Sequence, residues 1–327
     1  MVNVGVIGAG LMGSTHARLL ATAIAGAEVV AISDAVHEHA QRIADELDLS
    51  TIHADGMELI ANPAVDAVVI ASPAATHEPY TLACIEVGKP VLCEKPLATS
   101  AAAAKRIVEA EAAVGHRSVT VGFMRRYDPG YADLKARLDA GAIGAPLLMH
   151  CAHRNPSVHP FFDSAMIITD SAVHEIDVTR WLLGEEIVRA TVLTPTPTSK
   201  AREGLRDPQL LLFETAGGRL VDVEAFVSAG YAYDIRCEVV GEDGTLELLP
   251  PATVALRTDN AESQAIPPGF RERFGTAYLH ELQAWIHSIA RGSEPDGPSA
   301  YDGFAAAAVS EAAVASLESG RPVDVAL

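Results

Sequence analysis

Cysteine and aromatic residues are sparse in this chain of 327 residues: four cysteines, two tryptophans, and 5% aromatic residues in all. The cysteines, Cys84, Cys93, Cys151 and Cys237, show neither C-x-x-C pairing nor zinc-like spacing, so neither a disulfide framework nor a structural zinc site is written in them. They read as reduced core thiols of a cytoplasmic protein. Positive charge is scarce too, with 24 Lys and Arg against 43 Asp and Glu and a formal net charge of −19. That balance argues against an extended nucleic-acid surface and against binding to anionic membranes. No apolar run is long and uninterrupted enough to span a bilayer. The amino terminus enters a strand at once, without a signal-peptide pattern. What remains is a globular chain, 49% hydrophobic, with length enough for two domains.

What is present begins at the first residues. Val2, Val4, Val6 and Ile7 form a β-branched run suited to a buried parallel strand. Gly8, Gly10 and Gly13 follow as G-x-G-x-x-G, opening a helix that starts with Leu11 and Met12. The first glycine permits a tight turn, the second lets backbone approach a pyrophosphate, and the third lets helix and strand pack closely. The helix start favours anionic phosphates. A second strand, Glu28–Ser33, ends in Asp34, about twenty residues beyond the last glycine, where a ribose-binding carboxylate is expected. Such a carboxylate repels a 2′-phosphate, and no arginine follows it closely. The expected cofactor is therefore NAD rather than NADP.

Strands and helices alternate through residue 122, which predicts a doubly wound parallel sheet with ligands at the carboxyl ends of its strands. Ser72, Pro73 and His77 fall at one such end, and Glu94-Lys95-Pro96 at another. Beyond residue 122 strands follow one another, near 145–153, 187–195, 209–216, 219–227, 233–240 and 244–249, with turns at Gly217-Gly218 and Asp243-Gly244. The expectation is a Rossmann domain over 1–122 and an α+β domain over 123–327, built on a largely antiparallel open sheet. Helices at 170–183, 276–291 and 300–318 are expected to cover one face of that sheet. Leu211, Val221 and Val223 are expected on the other face, where a partner subunit hides them. Segments 194–208 and 267–275 read as surface loops.

One stretch carries chemistry on its spacing. In Thr169–Asp177, Asp170, His174 and Asp177 fall on one helical face, and a histidine flanked by carboxylates suits a general base near neutral pH. The same spacing equally fits a helix-capping Asp170, a surface Asp177 and a satisfied core histidine. His150, His153, Asp170 and His174 are all conceivable metal ligands, but no compact ligand motif appears and the expectation is no metal.

On GVIGAGLMG, the strand end Cys93-Glu94-Lys95-Pro96 and the helix bearing Asp170 and His174, the chain resembles the glucose–fructose oxidoreductase/inositol dehydrogenase family (Gfo/Idh/MocA) of two-domain NAD(P)-dependent oxidoreductases. The stretches GFMRRYDPGY (122–131), CAHRNPSV (151–158), MIITDSAVHEIDVTRWLLGE (166–185) and YDIRCEVVGEDGT (233–245) are similar to its inositol 2-dehydrogenase branch. The resemblance implies oxidation of a polyol, myo-inositol first, by hydride transfer to NAD. It assigns catalysis to Lys95, Asp170 and His174. Gly8, Gly10, Leu11, Met12, Gly13, Asp34, Ser72, Pro73, His77, Glu94 and Lys95 are then expected at the cofactor. Arg125, His153, Asn155, Tyr233 and Tyr278 join the catalytic three around the substrate. It further implies a homotetramer formed through the C-terminal sheet. Another inositol isomer, or an aldose such as glucose, fits the same chemistry, and the family also contains non-catalytic NAD-binding regulators.

Overall fold

In the computed structural model, which describes residues 1–251 and 254–327, the opening apolar run is strand β1 (Val2–Ile7) and the segment after the glycines is helix α1 (Leu11–Thr22). There follow β2 (Ala27–Ser33), α2 (His37–Leu47), β3 (Ile52–His53), α3 (Gly56–Ala61), β4 (Ala67–Ile70), α4 (His77–Glu86), β5 (Val91–Glu94), α5 (Ala101–Val114) and β6 (Val119–Gly122). These six strands pair in parallel in the order β3-β2-β1-β4-β5-β6. Consecutive residues of β4 and β5 are buried on both faces, as a sheet clad by helices on each side requires. The strand order reverses between β1 and β4, so a crevice opens beyond their carboxyl ends.

The chain continues with α6 (Pro129–Asp139), β7 (Pro146–Arg154), a π-helical turn (Ile167–Ala172) running into α7 (Val173–Leu183), and then β8 (Ile187–Leu193), β9 (Gln209–Thr215), β10 (Leu220–Phe226), β11 (Asp234–Gly241) and β12 (Thr245–Glu247). A small hairpin, β13 (Ala255–Thr258) and β14 (Ala261–Gln264), precedes α8 (Phe270–Arg291), α9 (Ala300–Ser319) and β15 (Val323–Asp324). Seven strands form the second sheet in the order β12-β11-β7-β10-β9-β8-β15, antiparallel except for the parallel pair β7–β10. The largely antiparallel sheet expected for this half is there, and α8 takes the last part of the expected 267–275 loop by starting at Phe270.

Alternation along β9 and β10 corrects the expected open face. Leu211, Val221 and Val223 are fully buried, on the side covered by helix, whereas Leu212 and Leu220 are 38% and 52% exposed. Leu148 is paired with Leu220 across the β7–β10 ladder and is exposed with it. Inward and outward positions alternate with period two, so the exposed stripe is the neighbouring set of residues.

One compact unit comprises Met1–Met124 with Thr276–Ala307, the other Arg125–Gly275 with Ala308–Leu327. The expected single cut after residue 122 lies near the first division, after Met124, and does not provide for the second at Thr276. Leu282, Trp285 and Ile286 of α8 sit in the same apolar cluster as Val2, Val4, Leu20 and Val29, and the Gln283 amide bonds both the N–H (2.9 Å) and the carbonyl (3.0 Å) of Ala25. The expectation that helix 276–291 covers the second sheet is thus corrected: its apolar face completes the core of the first. The last turns of α9 do serve the second sheet, where Ser316 Oγ accepts the N–H of Val192 at 2.9 Å.

Candidate active site

The glycine turn is built as its spacing implies. Gly8 has φ +97°, and a Cβ there would lie 2.6 Å from the Ala71 carbonyl oxygen; one on Gly13 would lie 1.8 Å from that of Gly8. A Cβ on Gly10 would meet nothing within 4 Å, which is the open side where a pyrophosphate fits. Leu11, exposed, and Met12, half-buried, begin α1, in the turn whose N–H groups lack intrahelical partners. Asp34 does double duty: Oδ2 accepts the N–H of Ala9 (2.6 Å) and Oδ1 that of Val36 (2.8 Å), so the carboxylate braces the turn while its edge lines the crevice. That crevice encloses about 710 Å³ and is lined by Gly8, Gly10, Asp34, Ser72 and Pro73 together with His39, Asp55, Thr76 and Tyr80. These residues suit a dinucleotide, with room, backbone donors and a carboxylate in one cleft.

The Glu94-Lys95-Pro96 strand end is organised from beneath. Glu94 is buried, with Oε1 2.7 Å from His16 Nε2 and Oε2 accepting the backbone N–H of Lys95 at 3.2 Å. Burial pushes its carboxyl pKa up, but His16 and the Lys95 charge outweigh that and hold it below the usual range. Gly122 lies opposite on β6, and a Cβ there would press to 3.0 Å from Glu94 Oε2. Tyr278 is buried with its ring edge-on to His16, at 5.9 Å between centroids. Two residues expected at the cofactor have their side chains engaged within the protein. Glu94 turns its carboxylate inward, and His77 is 2% exposed with both ring nitrogens 2.7 Å from carbonyl oxygens, those of Ser72 and Pro96. Lys95 itself is half-buried.

In the second unit, α7 and β7 bring His174 and His153 together, their rings stacked at 6.5 Å. His153 also meets Tyr233 edge-on at 5.8 Å. His153 Nδ1 lies 2.9 Å from Glu175 Oε2. Arg125 Nη2 lies 3.2 Å from the same nitrogen, so Nδ1 stands between a guanidinium donor and a carboxylate acceptor. Arg125 is 1% exposed, with Nη1 donating to Glu175 Oε1 and its guanidinium 5.3 Å from the Phe274 ring centre. Expected among the substrate ligands, it stands here as a buried cation anchoring Glu175. Burial raises the Glu175 pKa, but Arg125 and His153 pull it down to about 2. Asp177 is fully buried and bidentate to Arg126, at 3.1 and 2.5 Å, so the expected catalytic stripe loses that member to a structural ion pair. Asp170, half-buried, lies inside the π-helical turn and is no N-cap. Asn155 is held by backbone bonds to Phe226 and Ala229, and its buried Oδ1 has no hydrogen-bond donor among the described residues.

Glu175, His16 and the crevice residues His39, Asp55 and Tyr80 were not legible from spacing. Glu175 adjoins His174, but nothing local distinguishes a buried helical glutamate from a solvated one until Arg125 is seen beside it. Among the described residues no group of three or more His, Cys, Asp or Glu side chains is placed to hold a metal ion, and His150 instead pairs with Asp222. No helix among them is long and apolar enough to cross a membrane.

Comparison with known proteins agrees with this geometry. Residues 2–123 match a family described as the oxidoreductase family, NAD-binding Rossmann fold, and residues 135–325 match its C-terminal alpha/beta domain. The chain is 53% identical over 327 residues to inositol 2-dehydrogenase 1 of Saccharopolyspora erythraea, covering 100% of this chain and 97% of that relative. Among solved structures it is similar to the myo-inositol dehydrogenase of Lactobacillus casei in complex with NAD(H) and myo-inositol, at 39% identity and a TM-score of 0.96, covering 100% and 97% of the two chains. It is also similar to the scyllo-inositol dehydrogenase of the same organism, with bound NAD(H) and scyllo-inositol, at 25% identity and a TM-score of 0.91, covering 100% of each chain.

Proposed function

The chain belongs to the Gfo/Idh/MocA family of oxidoreductases, and from that premise we propose that it oxidises myo-inositol at one ring carbon to the 2-keto product, with NAD as oxidant. The observation that carries the reading is likeness over the whole chain to inositol 2-dehydrogenases in a sequence that keeps Lys95, Asp170 and His174. Bound NAD supplies the hydride acceptor. His174 takes the hydroxyl proton, and Asp170 stabilises the charge that the imidazole gains. By the family resemblance, Lys95 is the cation that favours alkoxide character in the reacting oxygen. Asn155 offers its unclaimed Oδ1 to a second hydroxyl, and His153 and Tyr233 present further polar edges. A polyol with one hydroxyl inverted leaves such groups unmet, which is the basis for discriminating isomers. In this reading residues 1–122 are the nucleotide-binding part and the second unit supplies the substrate groups.

The test is NADH formation with myo-inositol beside scyllo-inositol, chiro-inositol and glucose. The highest kcat/KM is expected with myo-inositol, and NAD is expected to outperform NADP because Asp34 meets the ribose. A higher value with scyllo-inositol or glucose would move the assignment within the same chemistry. Firm NAD binding with no NADH from any of the four would point to the regulatory class. The four cysteines are all free and buried, which supports a reducing cytoplasm as the compartment; a role in inositol catabolism would follow from the proposed activity.

The open face of the second sheet supports a homotetramer. Leu148, Leu212 and Leu220 form an exposed apolar strip among charged pairs such as Arg154–Glu224, the mix that an interface between identical chains buries. Leu220→Asp is expected to convert the tetramer into smaller species, as measured by light scattering coupled to gel filtration. A wild-type chain that runs as a monomer would sink this part of the reading.

A further inference from the structure

Both nitrogens of His77 are committed. Nε2 lies 2.7 Å from the Ser72 carbonyl oxygen and Nδ1 2.7 Å from that of Pro96. A carbonyl oxygen only accepts, and a neutral imidazole has one N–H. In either neutral tautomer one of these contacts would set lone pair against lone pair in a site that is 2% exposed. Two N–H donors satisfy both carbonyls, and only the imidazolium has two. The two acceptors belong to functional segments: Ser72 closes β4 at the crevice edge, and Pro96 follows Lys95. Cys93 on β5 is the ionisable side chain facing the ring, and its thiol donates to the Glu94 carbonyl.

We propose that His77, held as an imidazolium, is a positioning residue that ties the Ser72–Pro73 edge of the dinucleotide cleft to the loop carrying Lys95. The cation stands at the start of α4, where the helix dipole disfavours it, so the two carbonyls must hold it in place. Burial works against the charge, while the two carbonyls favour it, and Cys93 adds to them only when its sulfur is ionised. The proposal deepens the dehydrogenase reading, because it gives Lys95 and the cleft edge one shared support.

The first test is nitrogen NMR of the wild-type side chain at pH 8. Two N–H signals are expected for His77 at that pH; a single N–H overturns the proposal whatever the substrate proves to be. The second test compares His77→Gln with wild type, since one amide nitrogen cannot span two carbonyls on opposite sides. The KM for NAD is expected to rise and kcat to fall, each by about tenfold, through misplacement of the two segments, while the KM for inositol stays near its original value. Unchanged NAD affinity and kcat in a folded variant would refute the clamp. Direct NAD binding separates this outcome from failure of the dehydrogenase reading, in which wild type binds NAD yet turns over no polyol. Should the variant not fold, the NMR result decides alone.

Discussion

Glu175→Ala is expected to lower stability by about 3–5 kcal/mol, the range for removing one partner of a buried ion pair. The reason lies in what is left behind. Arg125 is 1% exposed and Glu175 Oε1 accepts from its Nη1; without that carboxylate a guanidinium stays buried with its counter-charge gone. His153 loses its carboxylate partner, so the variant is also expected to bind polyol poorly wherever it folds. The pH dependence has a definite sign. The Glu175 pKa lies at about 2 in the folded chain against 4.5 as the reference value, so the stabilisation is complete above 4.5 and is lost as pH falls through the folded value. Denaturant unfolding of wild type should show stability falling between about pH 4.5 and 2, and Glu175→Ala should lack that component. A variant as stable as wild type would mean that the Arg125 charge is met in some other way.

His174→Ala is expected to lower kcat by about 10²- to 10⁴-fold, the usual contribution of a positioned general base, with NAD affinity near normal. The side chain opens α7 next to the π-helical turn that holds Asp170, stacked on His153, and none of these groups belongs to the nucleotide cleft. A loss confined to kcat separates a chemical role from a binding one. Lys95→Ala should be comparably severe. An unchanged kcat in the His174 variant would remove it from the base role and leave the cofactor assignment intact.

The parts of the fold that were legible in the sequence are those written in short-range pattern. Apolar runs of β-branched residues, glycines at fixed offsets and an acid at the end of the second strand each state their environment locally, and β1, α1 and β2 follow from them. The destination of α8 was not legible. Leu282, Trp285 and Ile286 mark an apolar face, but periodicity does not say which of two cores that face enters, and its partners Val2 and Val4 lie at the far end of the chain. The open face of the second sheet was misassigned for a related reason: along Leu210–Leu212 the apolar residues run without alternation, so the pleat is undetermined until β9 pairs with β10. At the site, Lys95, Asp170 and His174 stood out through resemblance, while Glu175, His16 and the clamp at His77 depend on buried polar pairing, which no spacing rule records. Arg125 stood out through resemblance as well, but its ion pair with Glu175 was not written in any spacing.

The return of α8 and α9 to the first unit means that neither unit is a contiguous segment of the gene. A fragment ending at residue 122 would strip Leu282, Trp285 and Ile286 from an otherwise finished core and leave greasy surface around Val2 and Leu20 open to water. Grafting this nucleotide-binding half onto another substrate half, as modular engineering would try, therefore requires a two-piece transplant that carries residues 276–307 along with the amino-terminal segment.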